Sequence, residues 1–340
     1  MIPRVSVVIP AYQASRWVGR TVASVRAQTL TDIEILIVDD GSTDDLTGAL
    51  APHLADPRLR VIRQDNRGLA GARNRGLEEA AAALVAPLDA DDLWHPDFLE
   101  ACVAALDAAQ GAPFAFAYSF RMDEEDKMMP LVLPGEPFRH DLLGLLWLNT
   151  VGSGSAGVYR RDAMLAVGGY DEAMGRRGEQ GAEDWKLILQ LARRADPVLV
   201  PRYLVGYRLV MASMSMANPR RQLDAILAVL REVQGEMPDV DRRHFRDGRT
   251  MMTACLLPVF ARRGRFGDFF KEMWLAYSAN PLWFRSAFLR RAHLWRAKST
   301  LQWLLHMANP LRRPRAHLSE VRFEGALPFA FLGEGRTADG

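Results

Sequence analysis

Ile35-Leu36-Ile37-Val38-Asp39-Asp40-Gly41-Ser42 and Leu84-Val85-Ala86-Pro87-Leu88-Asp89-Ala90-Asp91-Asp92 are the stretches that decide the fold of this chain. Each is a short unbroken apolar run that ends in carboxylates. Such a run reads as a parallel strand buried on both faces, and ligands of α/β sheets bind beyond the carboxyl ends of these strands. Five aspartates gathered there repel one another unless a cation, a hydrogen-bond donor or a proton relieves them. Hard oxygen ligands suit Mg²⁺ or Mn²⁺, and either ion holds substrate phosphates at the same time. The pair of stretches therefore implies a site for a phosphorylated donor.

Working outward, strand-like and helical runs alternate. Val5–Ile9 precedes a helical stretch over 16–28, in which Trp17, Val18, Val22 and Val25 fall near helical spacing. Ile33–Val38 leads to a helical stretch over 44–53 and a short strand over 59–62. The Ala-rich run 69–83 reads as a helix, Leu84–Leu88 as a strand, 96–110 as a helix with Pro near its start, and Phe114–Phe120 as a buried strand. This βαβα order predicts an α/β fold, a mostly parallel mixed sheet flanked by helices. Residues 123–127 and 130–137 read as an exposed excursion. Residues 183–194 read as a helix and 198–209 as strand. From about residue 220 to 309 the pattern is helical, and a loose tail follows. The boundary is placed between a domain over 1–217 and a helical C-terminal region over 218–340.

A chain of 340 residues with a net charge of +2 has ample material for a large core and no reason to bind nucleic acid. Only Cys102 and Cys255 are present, far apart and without metal-ligand spacing, which suits a reducing compartment. The N-terminus lacks the order of a signal peptide, and no apolar run approaches the roughly 20 residues of a spanning helix. A cytoplasmic location is expected, peripheral to the membrane if the C-terminal helices touch it.

Several motifs carry chemistry, each with a plainer structural alternative. Tyr12, at the end of the first strand, has a ring that can stack on a base, or it simply closes a turn. Asp39-Asp40-Gly41-Ser42-Thr43-Asp44 holds helix-capping residues and one spare carboxylate for a base N–H. Asp89, Asp91 and Asp92 are metal-binding or helix-starting acids; Pro96 explains Asp92 better than the other two. Asn66–Asn74 opens a helix with glycines and arginines that can meet phosphate or base oxygens, or form an exposed face. Glu183-Asp184-Trp185 starts a helix, where acids are favoured anyway, and one carboxylate there could act as a base toward a hydroxyl.

In this order, Val7–Tyr12, Val38–Asp44, Gly68–Gly76, Leu88–Asp92, Gly168-Gly169-Tyr170-Asp171-Glu172 and Glu183-Asp184-Trp185 resemble the family-2 glycosyltransferases of the GT-A fold, over about residues 3–215. The resemblance implies a Rossmann-like nucleotide-binding half joined to an acceptor half. It also implies inverting transfer of a sugar from a nucleotide-sugar with Mn²⁺ or Mg²⁺. Carried over, Pro10, Ala11, Tyr12, Asp40, Arg73, Asp89, Ala90 and Arg208 are expected on the donor side, Asp91 on the metal and Asp184 as the base. Gly154, Glu183 and Trp185 fall on the acceptor side. Ser213–Ser215 match a segment near the diphosphate, but Val210-Met211-Ala212 stands where the family often has His. The processive Gln-x-x-Arg-Trp motif is absent, since Gln190–Arg194 ends in Arg and lies six residues after Asp184. Addition of a single sugar is expected, in glycan or glycolipid assembly.

The C-terminal third is basic. No Asp or Glu occurs from Met273 to Ser319, while Arg285, Arg290, Arg291, Arg296, Lys298, Arg312, Arg313 and Arg315 do. Trp283, Ala287, Leu294, Ala297, Leu301, Leu304 and Ala308 share a helical face. The stretch 283–315 reads either as a membrane-interface element suited to a lipid-linked acceptor or as helices packed on the catalytic domain. Nucleotidyl transfer is disfavoured by Ala11–Ser15, where a basic Gly-rich loop is needed, and an oxidoreductase by the absence of Gly-x-Gly-x-x-Gly. From another class, a non-catalytic partner that keeps the fold and recruits an assembly enzyme to a membrane is the alternative; retention of Asp91 and Asp184 argues against it.

Overall fold

Seven consecutive residues with no solvent-facing side chain, Val5–Ala11, form β1. They are buried on both faces because β1 is an interior strand of an eight-stranded sheet in the computed structural model, which describes residues 2–127, 139–210 and 218–280. β2 (Ile33–Asp39) pairs with it in parallel, Val5 opposite Ile33 and Ala11 opposite Asp39. β3 (Leu59–Arg63) extends that side, and β4 (Leu84–Pro87) lies on the other, with Val8 opposite Pro87. This register brings Ala11, Asp40 and Leu88 out at one edge. Connecting helices are α1 (Val18–Arg26), α2 (Leu46–Leu50) and α3 (Gly68–Glu79). α3 stops short of the predicted 83 because side chains of the sheet capture the following backbone. Ala81 N–H donates to Glu34 at 2.7 Å and Ala82 N–H to Ser6 Oγ at 3.0 Å.

The second half completes the sheet in the order β3-β2-β1-β4-β7-β6-β8-β5. β5 (Leu93–Trp94) and α4 (Phe98–Ala108) precede β6 (Phe114–Met122). Then come α5 (Leu142–Trp147), β7 (Gly157–Arg160), α6 (Arg161–Ala166), α7 (Glu172–Arg176), α8 (Glu183–Ala192) and β8 (Val198–Arg208). β7 runs antiparallel to both β4 and β6, and β5 antiparallel to β8, so the sheet is mixed. Because β7 reverses direction between them, β6 and β8 point the same way as β1, β2 and β4. Their carboxyl ends, Met122 and Arg208, are paired neighbours at the edge that carries the aspartates.

Three helices follow, α9 (Pro219–Glu236), α10 (Arg242–Arg262) and α11 (Phe266–Ala279). Asn218 caps α9 by accepting from Arg221 N–H, with Pro219 at the first helical position. Ile226, Val229, Leu230, Val233 and Phe245 belong to the same hydrophobic core as the sheet, which therefore runs across residue 217. α8 and α9 are further joined by Lys186–Glu232 at 2.6 Å and Gln190–Glu236 at 3.1 Å, with Arg193 reaching Asp239 beyond α9 at 2.6 Å. No helix among the described residues is long and apolar enough to cross a membrane. The expected excursion over 130–137, Ser213–Ser215 and the basic stretch 283–315 lie outside the described residues.

Candidate functional site

At the end of β2 the carboxylates are already engaged. Asp39 accepts from Ser42 N–H at 2.8 Å and faces Arg63 at 3.6 Å. Asp40, buried, accepts from Gln64 Nε2 at 2.7 Å, Arg67 N–H at 2.9 Å and Gly68 N–H at 2.8 Å. Expected beside the base, Asp40 uses its two oxygens to hold the loop 64–68 and the start of α3. Gly68 sits at φ +79°, a left-handed conformation that suits glycine and aims its N–H at Asp40. Gly41, Arg63, Gln64, Asp65 and Asn66 line an open polar pocket beside it. Ala11 carbonyl accepts from Asp40 N–H, and Pro10 is buried in the strand, so both act through the backbone. Tyr12, by contrast, is 54 % exposed, on a turn whose next residue, Gln13, grips Thr43 Oγ1 at 2.8 Å.

The end of β4 is arranged differently. Asp92 is fully buried, accepting from Ser155 Oγ at 2.6 Å and Arg208 N–H at 2.9 Å. Burial and its acidic neighbours push its pKa well up. Asp89 gives one oxygen to Arg73 at 2.6 Å, and its backbone N–H donates to Ser155 Oγ at 3.0 Å. Ala90 carbonyl accepts from Thr21 Oγ1 at 2.8 Å, which fixes the turn to α1. Asp91 is partly exposed and, among the described residues, has no side-chain partner of the kind that fills Asp92. Burial, and then the Asp89 charge, push its carboxyl up to about 6.

Arg73 joins this turn to the acidic start of α8. Its side chain is buried, with one terminal nitrogen on Asp89 and the other on Glu183 Oε1 at 3.1 Å, and the guanidinium 5.2 Å from the Tyr170 ring centre. Arg73, expected on the donor side, has its terminal nitrogens on these two carboxylates. Gly154 lies against it, and a Cβ there would come within 2.5 Å of the guanidinium, so this turn needs glycine. α3 also holds the Gly168–Glu172 motif: Asn74 exchanges hydrogen bonds with Tyr170 at 2.8 Å in both directions, and Arg67 reaches Glu172 at 2.9 Å.

Among the α8 acids, Glu183 takes Arg73 and the Gly181 N–H at 2.8 Å. Asp184 is partly exposed and, among the described residues, accepts only from the N–H of Trp185, at 2.7 Å. Loss of water around the carboxyl, then the Glu183 charge, push it up to about 6, where it can accept a proton near neutral pH. Trp185 was expected on the acceptor side, yet it is 2 % exposed and its indole N–H is bound to Leu145 carbonyl at 3.0 Å. It anchors α8 to α5.

Arg208, expected beside a diphosphate, is a buried tie. Its Nε donates to Asp91 carbonyl at 2.7 Å, one terminal nitrogen to Asp123 carbonyl at 2.8 Å, and the guanidinium pairs with Asp126. It lies 4.3 Å from the Trp17 ring centre, and Arg16 lies 4.2 Å from that ring centre too. The turn 123–127 is thus fastened rather than loose. Ser155, within the Gly/Ser run 152–157, meets both Asp89 and Asp92.

No three His, Cys, Asp or Glu groups among the described residues converge into a closed metal cage. Asp91 and the second oxygen of Asp89 remain, one or two hard ligands next to each other. That set fits a divalent cation of the Mg²⁺ or Mn²⁺ type, which keeps open positions for phosphate oxygens and water.

With this geometry in place, comparison with known proteins is informative. Residues 6–168 match the family model described as "Glycosyl transferase family 2". Chondroitin synthase of Escherichia coli is 43 % identical over 103 residues, 30 % of this chain and 15 % of that protein. The succinoglycan biosynthesis protein ExoO of Rhizobium meliloti is 41 % identical over 115 residues, 34 % of this chain and 32 % of its own length. The chain thus spans less than a third of the length of these relatives. Among solved structures, S. aureus TarS 1–349 in complex with UDP-GlcNAc superposes with a TM-score of 0.58 at 16 % identity, covering 74 % of this chain and 72 % of TarS. Mannosyltransferase PcManGT from Pyrobaculum calidifontis, in complex with GDP-Man and Mn²⁺, gives 0.56 at 16 % identity, covering 91 % and 82 %.

Proposed function

Taking as premise that residues 6–168 are a family-2 glycosyltransferase domain on a GT-A fold, we propose that the protein transfers a sugar from a nucleotide-sugar to an acceptor hydroxyl with inversion. The observation that carries this reading is the Arg73 bridge. By binding Asp89 and Glu183 with its two terminal nitrogens, it joins the turn after β4 to the acids that open α8, which supports a single site for donor and acceptor. In this reading Tyr12 and the loop 64–68 receive the nucleoside, uridine by preference, with Asp40 holding that loop in shape. A cation held by Asp91 and Asp89 would neutralise charge developing on the departing diphosphate. Asp184 takes the proton from the acceptor hydroxyl as that oxygen attacks the sugar carbon opposite the leaving group. Gly154 and Ser155 form the wall between the two substrates. The acceptor is a growing glycan or a lipid-linked sugar, extended by one residue per encounter.

The test is a thermal-shift screen of nucleotide-sugars with and without Mn²⁺, followed by transfer assays with the donor selected. A donor at about 100 times its Kd raises stability by roughly 2.7 kcal/mol, well within detection. If no nucleotide-sugar stabilises the protein under either condition, the reading fails.

A further inference from the structure

Distant parts of the chain hold the turn that follows β4. Thr21 Oγ1 lies 2.8 Å from the Ala90 carbonyl and 2.9 Å from that of Asp92, and Arg208 Nε donates to the Asp91 carbonyl at 2.7 Å. The two ends of the turn meet at one hydroxyl. Ser155 Oγ accepts from Asp89 N–H at 3.0 Å and donates its proton to Asp92 Oδ2 at 2.6 Å. Asp91, the acid left open, sits between these two fixed points. Ser155 is itself immobilised: it is fully buried in the single helical turn Gly154–Ala156, and its carbonyl accepts from the Trp94 indole N–H at 2.8 Å. Its neighbour Gly154 packs on Arg73, which takes one oxygen of Asp89. Residues 154 and 155 thus set Asp89 twice, at its backbone directly and at its carboxylate through Arg73.

Two ionised aspartates so close in the chain repel each other, and a turn free to relax would let them spread. A small divalent cation demands its oxygen ligands in near-ideal positions, so every relaxation would have to be reversed when the ion binds. A group that fixes the turn beforehand removes that cost. We propose that Ser155 is a positioning residue for the cation: by tying the Asp89 N–H to the Asp92 carboxylate it presets the spacing of the Asp89 and Asp91 carboxylates and so raises their affinity for Mg²⁺ or Mn²⁺. This rests on the cation site proposed above. Ser155 acts through the two ends of the turn, with its proton on Asp92 and a lone pair on the Asp89 N–H, and not as a ligand of its own.

The experiment titrates the full chain with Mn²⁺ at saturating UDP, following free Mn²⁺ by electron paramagnetic resonance, and measures UDP binding in EDTA by calorimetry; no acceptor is needed. Ser155→Ala should bind Mn²⁺ about 10–100-fold more weakly, as happens when a group that orients a metal ligand is removed, with UDP binding in EDTA unchanged. Ser6→Ala is the matched control. Ser6, fully buried at the amino end of β1, also accepts from a backbone N–H, that of Ala82 at 3.0 Å, and donates to a carboxylate, Glu34 at 2.5 Å. This control should lose comparable stability in a denaturant melt and keep the wild-type affinity for Mn²⁺. Should Ser155→Ala not fold, Ser155→Cys, similar in shape but a weak donor and acceptor, replaces it and should show a smaller loss in the same direction. The inference is overturned if the folded Ser155 variant binds Mn²⁺ as tightly as the wild type. It is also overturned if Ser6→Ala weakens Mn²⁺ binding as much, or if UDP binding in EDTA falls in step with it. Failure of the cation site itself reads differently: the wild type would then take up no Mn²⁺, and this inference would fall with it.

Discussion

The ends of β2 and β4 look alike in sequence and differ in what reaches them. At β2, Asp40 receives three hydrogen bonds from residues 64–68, and Asp39 is closed by Ser42 and Arg63. At β4, Asp92 is closed by Ser155 and Arg208, Asp89 is half closed by Arg73, and Asp91 is left open with a raised pKa. The same division separates Glu183, bound on both oxygens, from Asp184. A carboxylate supplied with donors builds the site; one left short of them is available to react or bind. Aspartate at a strand end announces a site, and its role is decided by side chains that arrive from elsewhere in the chain.

The sharpest way to break this contrast is to neutralise an open acid. Asp184→Asn should lower transfer about 10²–10⁴-fold while leaving donor binding intact, as loss of a positioned base does; single-turnover transfer and calorimetry with the donor distinguish the two. Near wild-type transfer would remove Asp184 as the base. Asp91→Asn should combine opposite signs. Metal-dependent nucleotide binding should disappear, yet the metal-free protein at pH 7.5 should become more stable, by up to about 3 kcal/mol for a carboxyl raised to about 6 and by less to the extent that solvent reaches it. The sign follows from linkage: folding raises this pKa, so the ionised group costs stability above about pH 6, and the advantage of Asn should fade as pH falls toward 4. Denaturant melts at three pH values would show it.

Asp40→Asn should behave in the contrary way, because it acts on a closed acid. The amide keeps an acceptor but loses the charge and places an NH₂ against donors, so stability should drop by about 1–3 kcal/mol at neutral pH. Weaker donor binding would follow from the loosened loop 64–68. Unaltered stability with lost base selectivity would show instead that Asp40 reads the base itself. The smallest effect is on the pH profile. With Asp184 raised to about 6, the transfer rate should climb roughly tenfold between pH 5 and 7 and then level off. A rate already flat at pH 5 would show that the base titrates elsewhere.

These contrasts mark where sequence reading stops. The core strands β1, β2 and β4 were legible because unbroken Val/Ile/Leu runs leave little alternative, and the ends of those runs put the aspartates at one edge. The start of α8 at Glu183 was legible for the same local reason. What Arg73 and Arg208 do was not, since each is defined by partners far along the chain: Asp89 and Glu183 for one, Asp91, Asp123 and Asp126 for the other. The resemblance to family-2 glycosyltransferases puts both on the donor side; their burial among carboxylates and carbonyls adds a bridging role that no local pattern announces. Trp185 stood beside the reactive acid in sequence, but helical geometry turns its indole toward Leu145. The Gly/Ser run 152–157 marked Ser155's loop by resemblance, but one serine in it has no local pattern to betray its contacts with Asp89 and Asp92. β5, two residues long, is set by pairing with β8 and offers no run to read.

The core that continues across residue 217 has a practical consequence for anyone who wishes to cut or graft this protein. Helix α8 begins with the acid proposed to deprotonate the acceptor, and its far side is held by Lys186–Glu232, Gln190–Glu236 and the apolar residues of α9. A fragment that ends at 217 would strip that side bare, leaving the helix that carries Asp184 held only from the side of the sheet and α5. The shortest portable unit therefore reaches at least Phe245, and fusion partners belong beyond it rather than at the change in sequence pattern.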